Sequence, residues 1–514
     1  MLILLTRVQG LDNGWWSTLL GSQTFLRDYG SCAIVDGVKT CNLSTSKQSA
    51  GSSVQSGGIM VACMIAPYIN DYLGRRYSIV ATAVISIIGI IIEMTSAAGE
   101  KARFGQFVGG KVIASLAMGL CANIVPIYLS ETSTPRARGA AVGLYQNVLM
   151  IGAIVASGTV YATSTRTDSS AYLIPMGLQL IPPAVMITAS PFLPESPRWL
   201  VWKGRLDAAR QASDRLFKTK TNGFDAVEYV NSLEISVEED RSHSDRFHGW
   251  TDVFRGPDLR RFLIATGIQC LQQAQGSSYM NNYIVSFLQA AGVSDYFPIV
   301  MAINVIYWAS ILSGHYLPDK FGRRIILYYS TGFCGVCLLI VSIINTVIKN
   351  KNSATSKAAI ALICLWNVGF GVLSPLVWIT TAEAAPTRNR ERVLATAVFF
   401  GFGVSLLISS VSPFIQDPGY GNLGARIGFI WSSFSFVTIV WVFFFLPEMK
   451  GFSLEQLDYL YKNKTPTRKF GKIKFTDEIL ADELVQKKQI LQGEVVDTEN
   501  EVVDTENVTF EKKE

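Results

Sequence analysis

One stretch of this chain is crowded with side chains that bind without reacting. Between apolar flanks, residues 269–282 hold Gln269, Gln272, Gln273, Gln275, Ser277, Ser278, Asn281 and Asn282. Amides and hydroxyls offer donors and acceptors together and carry no charge. That set suits a neutral polyhydroxylated ligand better than an ion. Gln272, Gln275 and Tyr279 recur at i, i+3 and i+7, one face of a regular helix, with Gln273 beside it. Amides inside a membrane also glue helices together, but their density in a single stretch favours ligand contact. Aromatic rings next to such amides can stack on the apolar face of a sugar ring. Trp378 is the first choice and Phe402 a weaker one, although a lone membrane aromatic more often packs or anchors at the interface.

Asp12 and Lys111 are ionisable residues in apolar runs. A buried acid beside a cation can exchange a proton, because hydration and partner distance both shift its pKa. A structural ion pair is the plainer alternative. Glu93 and Arg7 also interrupt apolar runs, but near the ends, where snorkelling to the interface is the cheaper account. No GxxxxGK[ST] loop occurs, which disfavours ATP-driven work. Nothing calls for a cofactor, a metal or enzymatic catalysis.

The elements that must position these residues are membrane helices. The 514 residues are 49% hydrophobic and 17% charged, with mean hydropathy +0.28, against about 25% charged in ordinary soluble domains. Lipid has to cover so much apolar surface, and about 20 apolar residues cross a bilayer as a helix. Charge-poor runs place twelve spans at about 2–22, 53–71, 78–98, 103–126, 139–161, 171–193, 262–289, 297–317, 325–347, 358–382, 393–414 and 425–446. They divide the chain into an N-terminal six-helix half (1–193), a cytoplasmic linker with surface helices (194–261), a C-terminal six-helix half (262–446) and a cytoplasmic tail (447–514). The tail contains EVVDTEN twice in tandem and is expected to be disordered towards its end. The first span carries Arg7 and Asp12, lacks a small-residue cleavage site and is short on its N-terminal side. Of eight cysteines, Cys32 and Cys41 fall in a polar loop, where pairing and not pairing stand equally open. Cys334 and Cys337 read as packing inside an apolar run.

Three motifs occur twice, in the same order. DYLGRR (Asp71–Arg76) returns as DKFGRR (Asp319–Arg324), ETSTPRAR from Glu131 as EAAPTRNR from Glu383, and PESPR from Pro194 as PEMKG from Pro447. The chain therefore reads as one half-molecule duplicated, a pattern of transporters. With twelve spans, the loops holding Arg75, Arg76, Arg136, Arg138, Lys320, Arg323, Arg324, Arg388, Arg390 and Arg392 all face one side. Basic loops mark the cytoplasm, so both termini are expected there. The longest loop on the other side, about 28–52, contains Asn42-Leu43-Ser44, an N-glycosylation acceptor pattern. The plasma membrane is the default location.

The repeats and the Gln-rich seventh span resemble the sugar porter family of the major facilitator superfamily over about residues 10–462. The run SVSPFIQDPGYGNLGARIGFI (410–430) is similar to fungal sugar transporters in particular. The resemblance implies an all-α membrane protein of twelve transmembrane helices in two pseudo-symmetric six-helix halves. It also implies a monomeric secondary active transporter of a sugar or related polyol, importing it with protons by alternating access. Substrate contacts then fall on Gln146, Gln272, Gln273, Ser278, Asn282, Asn304 and Trp378. The proton-linked acid falls on Asp12, and its helix 4 arginine partner on Lys111, which keeps the charge but loses the planar fork. The family's cytoplasmic gate falls on Asp71, Arg75, Arg76, Glu131, Arg138, Glu195 and Arg198 of the first half. These are expected to face Asp319, Arg323, Arg324, Glu383, Arg390 and Glu448 of the second, in a network that locks the outward-open state. Some positions depart. Ser277-Ser278 stands where the family has Ile-Asn, Asn282-Tyr283 where it has paired tyrosines, and span 11 lacks an asparagine that often completes the pocket. Those departures keep open an exporter of a fungal small-molecule metabolite; a non-transporting sugar sensor is the remaining alternative.

Overall fold

The computed structural model describes residues 7–35, 38–98, 102–133, 138–218, 224–245, 254, 256–293, 295–348, 353–386, 390–452 and 454–473. Helices occupy all twelve expected spans. Span 1 is Arg7–Leu19, and spans 2 and 3 share one run, Thr45–Thr95, bent at Gly74. Span 4 is Phe104–Thr132, span 5 Arg138–Thr163, and span 6 Ser170–Leu178 continued as Ile181–Ala189. Span 7 is assembled from Gly256–Gln272, a π turn Gln273–Ser277, and Ser278–Ala290. Spans 8 to 12 are Phe297–Phe321, Arg323–Val347, Ser353–Ala384, Arg390–Gln416 and Gly428–Phe445. Eight helices among the described residues are long and apolar enough to cross a membrane, Thr45–Thr95 counting once for two spans.

The outward faces of the spans are the apolar ones. Span 9 exposes Phe333, Val336, Ile340 and Ile343 at helical spacing, and span 12 exposes Val437, Val440 and Phe444. The opposite face of span 12 buries Ser435 and Thr438 completely. A soluble bundle is patterned the other way round; here lipid takes the place of water outside. Small hydroxyl residues inside let helices approach closely and bond back to their own carbonyls, as Thr438 Oγ1 does to Phe434 O at 2.7 Å.

Between spans 1 and 2 the chain forms a helix, Gln23–Tyr29, and a two-stranded hairpin, β1 (Ser31–Val35) and β2 (Val38–Asn42). Cys32 pairs with Cys41 across the ladder, and the two form a disulfide. Asn42 is exposed at the end of β2. Cys334 and Cys337 are buried as free thiols in span 9. After span 6, the helices Pro197–Trp202, Leu206–Phe217 and Ala226–Asp245 pack around Trp199, Leu200, Ala209, Ala212 and Val230. After span 12, Leu454–Lys462 is clasped from span 7, where Arg261 pairs with Asp458 and donates to Ala384 O and Ala385 O.

Candidate functional site

Span 7 cannot run as one regular helix, and the site depends on that. Gly276 has φ 96° and ψ 2°, a left-handed conformation that side chains rarely adopt. A Cβ there would also lie 2.9 Å from Cβ of Trp431. The π turn around it inserts an extra residue and rotates the C-terminal part of the span. Gln272, Gln273, Ser277, Ser278, Asn281 and Asn282 consequently line one cavity of about 1130 Å³. Ser278 Oγ donates to Gln273 Oε1 at 2.7 Å, and Asn282 Nδ2 donates to Ser278 O at 2.9 Å and Ser409 Oγ at 3.1 Å. Gln272 is only 3% exposed, yet its Oε1 has no protein partner. A buried acceptor left unpaired costs about 1–3 kcal/mol, which a ligand hydroxyl would recover.

The same turn corrects one sequence expectation. Gln275 and Tyr279 do not share a ligand-facing surface with Gln272. Both are buried away from the cavity, where Tyr279 OH donates to Gln416 Oε1 at 2.8 Å and its ring packs 5.9 Å from Trp431. The i, i+3, i+7 rule assumes an unbroken helix, and Gly276 breaks it.

Facing span 7, Gln146 and Asn147 of span 5, Gln55 of span 2 and Trp378 of span 10 complete the polar lining, with Phe402 from span 11. Trp378 is 38% exposed, so its ring is available to the cavity. Asn304 lies outside this lining. Its Nδ2 donates to Ser157 Oγ at 2.9 Å, tying span 8 to span 5 beside a smaller pocket. Lys111 also stays off the cavity wall. It is fully buried, with Nζ 3.7 Å from the ring centroid of Trp16 and 5.8 Å from that of Trp15. Asp12 lies on span 1, but its side chain falls outside the described residues. Glu93 is completely buried rather than snorkelled. The short helix Gln23–Tyr29 covers that end of span 3: Tyr29 OH and Ser96 Oγ lie 2.6 Å apart, and Ser96 Oγ donates to Glu93 O.

The cavity reaches the repeated charged corners, where Asp71, Arg75, Asp319, Arg323, Glu383 and Arg390 line it. In the first corner Gly74 turns at φ 82°, and Glu195 accepts the N–H groups of Arg75 and Arg76. Arg75 then forks onto Glu131, Nε to Oε2 and Nη2 to Oε1, both at 3.0 Å. Burial pushes the Glu195 carboxyl above its usual range, while the N–H groups of Ser196, Arg76 and Arg75 pull it back. In the second corner Gly322 turns at φ 98°, Glu448 accepts the N–H groups of Arg323 and Arg324, and Arg323 forks onto Glu383. Asp71 and Asp319 add a second carboxylate to each arginine, and Arg324 Nη2 donates to Phe443 O. Arg198 opens the helix Pro197–Trp202, and the side chain of Arg138 falls outside the described residues. The bridges of Arg75 to Glu131 and of Arg323 to Glu383 are not the contacts between halves expected of the outward-open state. Each of them closes within its own half, because the cavity lies between the two corners.

The opposite end is closed by hydrogen bonds between the halves, one of them to a carboxylate. Thr45 Oγ1 donates to Asp417 at 2.5 Å, Ser49 Oγ to Ser410 O at 2.7 Å and Tyr296 OH to Gly21 O at 2.7 Å, and Ser56 and Ser405 share a bond of 2.9 Å. Several polar wall residues carry no sequence expectation, among them Gln55, Asn70, Asn123, Asn147 and His315. Gln55, a lone amide in the apolar run of span 2, carried a readable signal. His315 did not: it stands between the amide belt and the second corner, with Nδ1 2.8 Å from Ile311 O.

Helices around a central cavity that reaches charged loops give the architecture of a membrane transporter. The chain belongs to the Sugar (and other) transporter family, whose model matches residues 2–461. It is therefore a multi-pass membrane transporter and not an enzyme. Among curated relatives, the Major facilitator-type transporter ecdD of Aspergillus rugulosus is 30% identical over 88% of this chain and 84% of its own. The Probable glucose transporter rco-3 of Neurospora crassa is 26% identical over 88% and 77%. Among solved structures, the inward open conformation of the xylose transporter XylE from E. coli superposes with a TM-score of 0.70. That match covers 89% of this chain and 98% of the other at 19% identity, a likeness of fold.

Proposed function

We propose that this protein moves a sugar or related polyol across its membrane by rocking two halves about the central cavity. The observation that carries the reading is the uncharged amide belt: Gln146, Gln272, Gln273, Ser278 and Asn282 line one cavity with Trp378, and Gln272 Oε1 awaits a donor. Among the described residues, acidic and arginine side chains enter the lining at the corners. A neutral polyol satisfies such a belt, whereas an ion would leave it unmatched. The relative named as a probable glucose transporter supports the same substrate class.

Import with protons is the accompanying mechanism. Asp12 on span 1 is the proton-bearing acid. Lys111, held over Trp16, sets the charge beside that span, so coupling reaches the cargo through the movement of span 1 rather than by direct contact. Asn304 supports the belt from behind. The charged corners are cytoplasmic and latch the halves when the cavity faces outward. In the conformation seen, the bridges of Arg75 and Arg323 lie within their own halves, and hydrogen bonds join the halves at the opposite end. The protein works as a monomer in the plasma membrane with both termini inside, and Asn42 carries a glycan outside. The departures at Ser277, Ser278 and Asn282, with a cavity of about 1130 Å³ that exceeds the usual range of about 300–1,000 Å³, favour a second reading: export of a larger hydroxylated metabolite.

Uptake of labelled mono- and disaccharides in cells lacking their own hexose carriers, with and without a protonophore, tests both. Accumulation that collapses with the protonophore supports the first reading. Absence of accumulation for every sugar, at normal surface expression, sinks it in favour of the second.

A further inference from the structure

Beside the main cavity lies a smaller pocket of about 50 Å³. Met150, Asn281, Tyr307 and Phe370 line both spaces, so the pocket is a side chamber of the cavity. Its far wall holds Trp366 and Asn367 of span 10, and Ser17 of span 1 stands opposite. Trp366 stacks on Phe370 with centroids 4.9 Å apart and planes at 4°, and Phe370 stacks on Tyr307 at 5.9 Å and 22°. Three rings in register form a shelf. The indole is 2% exposed, and its Nε1–H has no acceptor in the protein. Asn367 Nδ2, by contrast, is already used on Ile363 O at 2.9 Å.

A membrane-buried N–H is expensive to leave unpaired, and the indole can only donate. The chamber holds about three to four water-sized positions at 10–15 Å³ each. That is too small for a second sugar ring and large enough for one hydroxyl-bearing arm. We propose that this chamber is a second subsite of the cavity, taking a pendant hydroxylated arm of the substrate, with Trp366 Nε1–H donating to its oxygen. The ring shelf covers the carbon side of the arm, and Asn281 stands at the portal. The inference rests on the sugar reading above and names a contact outside the amide belt.

The test is a double-mutant cycle between protein and ligand. Full-length protein in proteoliposomes is assayed for competition by D-glucose and by each of its monodeoxy analogues. Wild type and Trp366→Phe, which keeps the ring and removes the N–H, are compared. A neutral hydrogen bond predicts that one deoxy position loses about ten-fold in the wild type and that Trp366→Phe erases that loss at the same position. Asn281→Leu should weaken discrimination at the same hydroxyl, and it decides the matter if the tryptophan variant does not accumulate. Additive losses at every position would mean that the chamber holds water only, and would overturn the subsite while leaving the sugar reading intact. No binding of D-glucose or any analogue by the wild type would overturn this inference, and the sugar reading falls with it only where no other sugar accumulates either.

Discussion

Arg75 and Arg323 sit in the same cage of atoms, whereas the inner walls of their two halves have little in common. Each arginine follows a left-handed glycine and gives its backbone N–H to a glutamate at 2.9 Å. Each forks onto a second glutamate and bonds the carbonyl five residues back, Asn70 O at 3.3 Å or Pro318 O at 3.1 Å. Inside, the first half offers Lys111 stacked on Trp16, a fully buried Glu93 and an amide pair at Gln146 and Asn147. The second half offers a π turn ringed with amides and serines, and the ring of Trp378. Duplication kept what holds the loops and let go of what meets the cargo. The corners are thus shared parts, whereas the interiors differ: the first half buries charged side chains behind its wall, and the second lines the cavity with amides and serines.

The largest expected effect tests the shared part. Arg75→Ala and Arg323→Ala each leave a nearly buried glutamate without its fork, a loss of about 3 kcal/mol for an ion pair in such surroundings. Uptake at matched surface expression should fall by about a hundred-fold, and by similar factors in the two variants. A hundred-fold loss in one with near-normal uptake in the other would show that the corners are not equivalent.

Next comes the charge in the first half. Asp12→Asn keeps shape and removes the titratable group, so uphill accumulation should collapse to equality across the membrane while exchange of labelled substrate continues. Wild-type accumulation by this variant would remove Asp12 from coupling. Smaller again is the recognition term. Gln272→Ala should raise half-saturation by about ten-fold, the worth of roughly one neutral hydrogen bond. An unchanged value would move the substrate off the second half's wall and undo the contrast.

Much of this was readable in the chain because membranes leave few options. Backbone groups with no water must bond within helices, so charge-poor runs of about 20 residues became the spans, and repeated motifs became the paired corners. What escaped was decided by contacts distant in sequence. Glu93 lies two residues from the end of the run Thr45–Thr95 and reads as snorkelling, until the helix Gln23–Tyr29 folds over it. Asn304 reads as a contact in the main cavity, yet its amide bonds Ser157 and it lines the smaller pocket beside that cavity. The bridges of the corners close within the halves because the cavity separates them, and motif spacing carries no record of which conformation is occupied.

The smallest predicted effect is the sharpest test of the wall. Gln272 and Gln275 are the same residue type one helical turn apart, and an unbroken helix would put both on the ligand. Gly276, at φ 96° and pressed against Trp431, prevents that and turns Gln275 into the protein, where it is 1% exposed. Gln275→Leu keeps most of the volume and removes the amide, so half-saturation should move by less than about two-fold, and any change should appear as stability instead. Equal ten-fold losses at both glutamines, measured by the same competition assay, would mean that the substrate-bound protein straightens span 7. Recognition in the second half would then rest on a regular helical face rather than on the break.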